Sequence, residues 1–546
     1  MGNFNLNSLQ RYYTIIPLLL SIVLFPLAIG TVHLFDWDEV NFAEISREMI
    51  LSGNYWNVQI NFQPFWEKPP LFFWLQALSM HVFGINEFAA RFPNVLVGIV
   101  SIWSLLYIGK KKVSAQFAFI WAMAYLGSFL PHFYFKSGII DPLFNLLIFW
   151  SLVFFYQYQE SYSKKDVLFT AIFAGLAVLT KGPVAILIIG LVVFIYIIYT
   201  FKTFKLKILD WIIALFAVIL ISSVWFISEI LNGGGVALFR EFLEYQIRLF
   251  STSEAGHGQP FYYHFVVLFF GCFPISLIAF PFILKKQIKQ EKPISVHFYT
   301  LNFILFWVVL LLFSITTTKI VHYTSLTYFP LSYIAATILY EAIFSKKALS
   351  KVSYLLILIV GIVVSILFIL LPLVVVFKDK IIPFIKDKFA VANILLPVHW
   401  SGYEFLIGVL YLILFLIIAF KIRKNIQNVL YLFFLNAILL NMLMIFIVPK
   451  IEQHSQGALI SFLQKHQNKD AYFLTYGFKS YAQYYYANKQ IPINVLSASE
   501  DWLLTKKTDK PVYVICKIQD KEKTATLSEI KYLYEKGGFA FFIRNK

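Results

Sequence analysis

The residues able to do chemistry in this chain fall in a few short polar breaks between long apolar runs. The first break reads Asp36-Trp37-Asp38-Glu39 and continues to Glu44 and Glu48. Paired carboxylates at a membrane surface can hold a divalent cation or act as a base. They are also what an ordinary solvated helix start displays, because acids suit the positive end of the helix dipole. Further along, Phe65-Trp66-Glu67-Lys68-Pro69-Pro70-Leu71 puts a carboxylate and an ammonium at a rigid helix start. Asp141-Pro142, with Lys136 just before it, has the pattern of a capped helix start. Lys181 stands in Lys181-Gly182-Pro183, which interrupts an otherwise continuous apolar stretch, and an ionisable group at such a depth is a candidate site. The break 231–262 carries Glu244, Arg248 and His257. Arginine suits a phosphate through paired hydrogen bonds. A single histidine can ligate a metal or be plain polar surface. Thr316 to Tyr323 closes another apolar run with Lys319, His322 and Tyr323.

The elements that position these groups must be membrane helices. The chain has 546 residues, 59% hydrophobic and only 14% charged, too little polar surface for a soluble protein of this length. Apolar runs of about 18 residues or more recur, the length that crosses a hydrocarbon core. The net charge of +17 does not imply a nucleic-acid partner. The lysines and arginines lie in short clusters between apolar runs, which is how a membrane protein encodes its topology. Cys272 and Cys516 have neither zinc spacing nor a disulfide framework.

Six basic clusters mark cytoplasmic loops: Lys110–Lys112, Lys164-Lys165, Lys202 with Lys205 and Lys207, Lys285–Lys292, Lys346–Lys351 and Lys421–Lys424. Between them the expected spans are 13–34, 91–109, 115–133, 141–158, 167–181, 183–200, 208–229, 263–284, 296–315, 324–343, 352–376, 403–420 and 427–448. That is an α-helical polytopic protein of about thirteen transmembrane helices. The first run reads as an uncleaved span, being too long for a signal-peptide core. With a cytoplasmic N-terminus every basic cluster falls inside, and the tail falls outside. The expected domains are 1–449, a membrane domain, and 450–546, a small soluble α/β domain. In the first outer loop, 35–90, the stretches 43–51 and 71–83 read as amphipathic helices lying along the interface. In the tail, strands are expected at 471–475, 512–516 and 539–543, with a helix over 480–487. All the chemical groups named above then come to one outer level, as a site for an anionic lipid head group with a base or a metal would require.

Taken in order, these segments resemble a known family. Asp-Glu-x-x-x-Ala-Glu-Ile-x-Arg-Glu-Met at 38–49, Glu-Lys-Pro-Pro-Leu at 67–71, Asp-Pro at 141–142, Leu-Thr-Lys-Gly-Pro at 179–183 and Lys-x-x-x-Tyr at 319–323 are similar to the bacterial aminoarabinose transferases. Those enzymes belong to the GT-C superfamily, with protein O-mannosyltransferases as relatives. The resemblance covers roughly the first 330 residues. It implies a GT-C fold and a small α/β domain outside a bacterial inner membrane. It also implies transfer of a sugar from a polyprenyl-phosphate carrier to lipid A or another envelope acceptor. By the same resemblance Asp38 is the catalytic carboxylate and Asp141 a second acid. Lys68 and Arg248 hold the carrier phosphate, with Lys181, Lys319 and Tyr323 assisting, and Glu67 is a metal ligand. The family often has Glu-His where this chain has Glu244-Tyr245, which leaves His257 as the partner of Glu67 for a divalent metal. Asn41 stands where the family has an arginine. The expected partners are membrane lipids, the lipid-linked sugar and the acceptor, acting on a monomer. A protein O-glycosyltransferase differs from this reading only in acceptor. A lipid or sugar transporter is disfavoured, since transporters set their ionisable groups near the bilayer midplane.

Overall fold

The computed structural model describes residues 12–204, 207–231, 235–251, 258–283, 294–346 and 348–545. Lys205, the basic cluster 285–292 and His257 lie outside the described residues.

The apolar runs fold as helices because lipid leaves backbone groups no partner but each other. The first is short. Helix α1 covers Ile15–Leu24, not 13–34. Two cations end it by taking the carbonyls a longer helix would use internally. Lys136 donates to Leu24 O at 2.7 Å and Leu27 O at 2.8 Å, and Arg91 donates to Ile29 O at 2.6 Å and Val32 O at 2.7 Å. Outside the apolar runs come helix α2 (Asp38–Ser52), a two-residue-strand hairpin β1–β2 (Gln59–Ile60, Gln63–Pro64) and helix α3 (Leu71–Phe83). Helix α4 (Glu87–Lys112) is capped by Asn86, whose side chain accepts from Ala89 N. It begins with Glu87 and ends with Lys110–Lys112, the charges its dipole favours. Then follow α5 (Ala115–Leu126), α6 (Phe129–Phe133), α7 (Asp141–Ser161), α8 (Lys164–Lys181), α9 (Val184–Thr200) and α10 (Ile208–Leu231).

Each of the thirteen expected stretches contains helix. Among the described residues, however, seven helices are long and apolar enough to cross a membrane alone. An eighth arises if Phe129–Lys136 and Asp141–Ser161, bent by 117°, are one span. Run 115–133 breaks after α5 at Gly127, where a Cβ would lie 2.3 Å from the backbone of Phe433. Run 263–284 splits into Tyr263–Gly271 and Ile275–Ile283 around Pro274, which has no N–H to donate. The hairpin between α8 and α9 is as expected: Gly182 takes φ +88, a conformation that suits glycine. Helix α5 is buried on all sides, whereas α10 exposes Leu209, Ile212, Leu215 and Phe216 as a lipid-facing surface does.

Helix α2 corrects the expectation of an interfacial helix. Glu39 to Met49 are buried, including Glu44, Arg47 and Glu48. Glu44 and Arg47 are tolerated because they are paired, whereas burial and the neighbouring Glu44 push the Glu48 carboxyl up to about 9, toward its neutral form. Arg47 binds Glu44 with two hydrogen bonds of 2.7 Å and donates to Lys489 O at 2.6 Å. Helix α3 keeps the interfacial character, with Leu78, Val82 and Phe83 exposed.

What covers α2 is the C-terminal domain. Its sheet has the order β3-β4-β6-β5, with β3 (Tyr472–Tyr476) parallel to β4 (Val512–Lys517) and the other pairs antiparallel. Helix Gly457–His466 packs on one face, with Phe462 stacked on Phe541 at 4.2 Å. Strands β3, β4 and β6 (Phe539–Arg544) stand where expected within a residue. Strand β5 (Ile530–Lys536) was not expected: it is an exposed edge, with no buried alternation in its sequence to reveal it. The expected helix 480–487 shrinks to Ala482–Tyr485.

Candidate active site

Asp38 and Glu39 are adjacent, so a helix sends them in different directions, and the structure gives them different tasks. Glu39 is buried against Arg91. Its Oε1 accepts from Arg91 Nε at 2.9 Å and Gly138 N at 2.5 Å, and its Oε2 from Arg91 Nη2 at 2.8 Å and Phe35 N at 3.0 Å. Burial pushes the Glu39 carboxyl up, but the Arg91 charge and hydrogen bonds outweigh burial and hold it below the usual range. Asp38 instead faces a cavity of about 130 Å³.

That cavity collects side chains from segments hundreds of residues apart. Asp38 comes from the first turn of α2, and Glu67 and Lys68 from the segment between the hairpin and α3. Asp141 opens α7, followed by Pro142 in the first turn, so the positive helix end supports its carboxylate. Lys181 closes α8, where the negative end supports a cation. His322 and Tyr323 come from the 3-10 turn Val321–Thr327. Tyr245 comes from helix Gly235–Ser251, and Lys479 and Tyr481 from the C-terminal domain.

The groups are mutually engaged. Lys181 Nζ lies 2.5 Å from Asp141 Oδ1 and 5.0 Å from the Tyr323 ring centroid. His322 Nε2 stands between the two acids, 3.3 Å from Asp38 Oδ2 and 3.8 Å from Asp141 Oδ2. Lys68 Nζ donates to the Tyr245 hydroxyl at 2.7 Å. Burial pushes the Asp38 carboxyl up; the His322 hydrogen bond and charge, with Lys68 and Lys181, more than offset this and hold it below its ordinary 3.8. Burial lowers Lys68, and the charges of Glu67, Asp38 and Asp141 only partly restore it. Three carboxylates thus face three ammonium groups and an imidazole. Such a set can hold an anion, stabilise charge on a departing group, and move or hold a proton at Asp38.

Six sequence candidates meet here: Asp38, Glu67, Lys68, Asp141, Lys181 and Tyr323. Lys319 does not line the cavity; its ammonium turns back onto Thr316 O at 2.5 Å. Arg248 is exposed and does not line the cavity either, standing 5.9 Å from the Tyr245 ring centroid. Sequence reasoning saw His322 and Tyr245 but gave neither a partner. It missed Lys479 and Tyr481, which belong to no motif. Among the described residues no group of three metal-ligating side chains exists, and Tyr245, at the family's histidine position, is a phenol bonded to an ammonium.

One consequence is a pH effect. Replacing His322 with glutamine removes the imidazole, whose hydrogen bond and charge are, after burial, the largest influences on Asp38, and leaves Lys68 and Lys181 alone against burial. A reaction needing the Asp38 carboxylate will then lose rate at higher pH than wild type. An initial-rate profile from roughly pH 4 to 8, which brackets ordinary carboxylate and imidazole values, checks this. An unmoved acidic limb means that His322 does not control Asp38.

Comparison with known proteins finds the same resemblance. A family model described as dolichyl-phosphate-mannose-protein mannosyltransferase matches residues 67–227. The chain is 28% identical over 374 residues to an undecaprenyl phosphate-alpha-4-amino-4-deoxy-L-arabinose arabinosyl transferase of Wigglesworthia glossinidia brevipalpis, covering 66% of this chain and 64% of that one. It is 29% identical over 309 residues to arabinosyl transferase 2 of Proteus mirabilis (strain HI4320), covering 55% and 54%. The chain therefore matches less than two thirds of the length of these relatives. The crystal structure of ArnT from Cupriavidus metallidurans bound to undecaprenyl phosphate aligns with a TM-score of 0.74 at 18% identity, over 99% of this chain and 98% of that one. Its apo state gives 0.73 at 16% identity, over 98% of each chain. The fold is the GT-C fold of those structures with a small C-terminal sheet domain, and the resemblance to the aminoarabinose transferases is borne out.

Proposed function

We propose that this chain is a glycosyltransferase of a bacterial inner membrane that moves a sugar from a polyprenyl-phosphate carrier to a cell-envelope acceptor. The observation that carries the reading is the single cavity in which Asp38, Asp141, Lys68, Lys181 and His322 meet. Its relatives, named as aminoarabinose transferases using undecaprenyl phosphate, favour aminoarabinose as the sugar and lipid A as the acceptor. Charge supports the periplasmic face. Helix α7 has 21 residues and so spans roughly 30 Å. Asp141 starts it, while Glu160 near its other end pairs with Lys112 of a basic cluster. The cavity therefore opens opposite the positive, cytoplasmic side.

In this reading the acceptor oxygen bonds to the anomeric carbon, the bond from that carbon to the carrier phosphate oxygen breaks, and the phosphate leaves with the electron pair. Lys68, assisted by the Tyr245 hydroxyl, and Lys181 stabilise the charge that grows on it. Asp38 accepts the proton of a hydroxyl acceptor, or orients an acceptor phosphate that needs no deprotonation. His322 links Asp38 to Asp141 and keeps Asp38 ionised, and Tyr323 forms the wall beside Lys181. Asn41, whose buried Oδ1 has no hydrogen-bond partner among the described residues, lines the cavity and is available to a sugar hydroxyl. No step is routed through a metal, because Glu67 acts on the ammonium of Lys68 and the described neighbours do not complete a ligand set. Protein O-glycosylation is the second reading, favoured by the mannosyltransferase family match.

The test is transfer by purified protein in detergent from undecaprenyl-phosphate-linked aminoarabinose to lipid A or to envelope proteins, read by mass spectrometry. Label on lipid A is the expected result. Label on protein alone favours the second reading. Donor left intact with every acceptor refutes both.

A further inference from the structure

The C-terminal domain contains a second cavity, of about 810 Å³, within the size range of ligand sites and well above the 130 Å³ of the first. It opens beside β3 and the loop that follows the strand. Its wall carries five lysines, 469, 479, 489, 510 and 523, against two carboxylates, Asp470 and Glu500. Only Lys510 pairs with a carboxylate among the described residues, at 2.6 Å from Asp470. The other four stand over tyrosine rings, three of them in the cavity wall: Lys489 at 5.1 Å from Tyr484, Lys479 at 5.5 Å from Tyr481 and Lys523 at 5.7 Å from Tyr476, with Lys469 at 5.5 Å from Tyr513 behind it. Cations alternating with aromatic faces suit an anionic sugar, whose charge meets the ammonium groups and whose C–H face meets a ring.

The two cavities share a wall. Lys479 and Tyr481 line both. The loop that carries them is tied to the residues just before Asp38: Trp37 Nε1 donates to Lys479 O at 3.1 Å, Tyr481 N donates to Asp36 Oδ1 at 3.1 Å, and Ser480 donates to Asp36. A molecule in the larger cavity therefore lies against the edge of the smaller one.

We propose that the C-terminal cavity binds a phosphorylated saccharide, the head group of a glycolipid acceptor, and presents it to Asp38. The assignment to the acceptor rests on the transferase reading above; the binding chemistry does not. The full chain in detergent is titrated with N-acetylglucosamine 1-phosphate, with N-acetylglucosamine and with inorganic phosphate, and lipid A micelles are added as competitor. The sugar phosphate is expected to bind more tightly than either fragment and to be displaced by lipid A. Lys469→Gln with Lys523→Gln, both exposed positions, is expected to weaken it by about tenfold. Lys523→Gln alone is expected to weaken it less, and gives a second reading if the double variant is poorly expressed. Equal binding of phosphate alone, or variants that bind like wild type, overturns the site. Binding without displacement by lipid A overturns the acceptor role and leaves a free sugar phosphate as ligand. Binding of undecaprenyl phosphate is measured on the same samples. If it persists while the sugar phosphate fails to bind, this inference falls and the transferase reading stands; the reverse result sinks the transferase reading, and the acceptor role with it, and leaves the sugar-phosphate site standing.

Discussion

Asp38→Asn will lower sugar transfer by a factor on the order of 10² to 10⁴, the range of a lost acid-base group, while the protein still folds and binds undecaprenyl phosphate. Asparagine keeps the size of the side chain and can still meet His322, which lies 3.3 Å from Asp38 Oδ2. It removes only the negative charge and the ability to take a proton. Lys68, Lys181 and Tyr245 remain to bind the carrier phosphate, so donor affinity should change little. The measurement is single-turnover transfer set beside donor binding on one preparation. A variant that transfers at the wild-type rate removes Asp38 from the chemistry. A variant that loses donor binding and rate together makes it part of the phosphate site instead.

The second large effect concerns stability. Arg91→Met should cost on the order of 3 to 5 kcal/mol, the range for breaking a buried ion pair from one side. Methionine fills the space but leaves the Glu39 carboxylate buried with only its two backbone donors, Phe35 and Gly138. It also strips the donor from the carbonyls of Ile29, Val32 and His33, which shape the chain between α1 and α2. Thermal unfolding in detergent reports the loss. Its pH dependence has a definite sign. In wild type the folded Glu39 lies below its ordinary 4.5, so the stability it adds is complete above that value and is lost as pH falls through the folded value. Without Arg91, burial raises Glu39, and protonation then relieves the defect. The gap between variant and wild type should therefore narrow on acidification. Adding Glu39→Gln to Arg91→Met should cost less than the sum of the single changes. Full additivity would mean that the pair is not the unit described.

Much of the site was legible in the sequence because membrane chains write topology in charge. Asp141 and Lys181 stand out at the ends of apolar runs, where lipid would exclude them, and Lys68 beside a doubled proline; all three face the cavity. The helix 71–83 was legible to the residue, since two prolines fix its start and Gly84 its end. Other features depend on pairing across distance, which no local pattern encodes. Helix α2 reads as amphipathic and exposed until Arg47 is seen to reach Lys489, 442 residues away. Lys319 and Lys181 look equivalent as lone cations, but one folds back on its own turn and the other crosses to Asp141. Strand β5 carries no buried periodicity because it is an edge.

The loop that ties Lys479, Ser480 and Tyr481 to Asp36 and Trp37 also bears on how the protein is made. Domains fold in order as a chain emerges during synthesis. Asp38 is translated early, with the first helices, while its neighbours on this loop arrive some 440 residues later. At a ribosome adding about 5 to 20 residues each second, that delay is of the order of half a minute or more. Throughout it the membrane helices can insert and pack, but the pocket beside Asp38 lacks one wall. On the transferase reading, nascent chains and chains truncated before β3 should therefore be inert toward the lipid-linked donor.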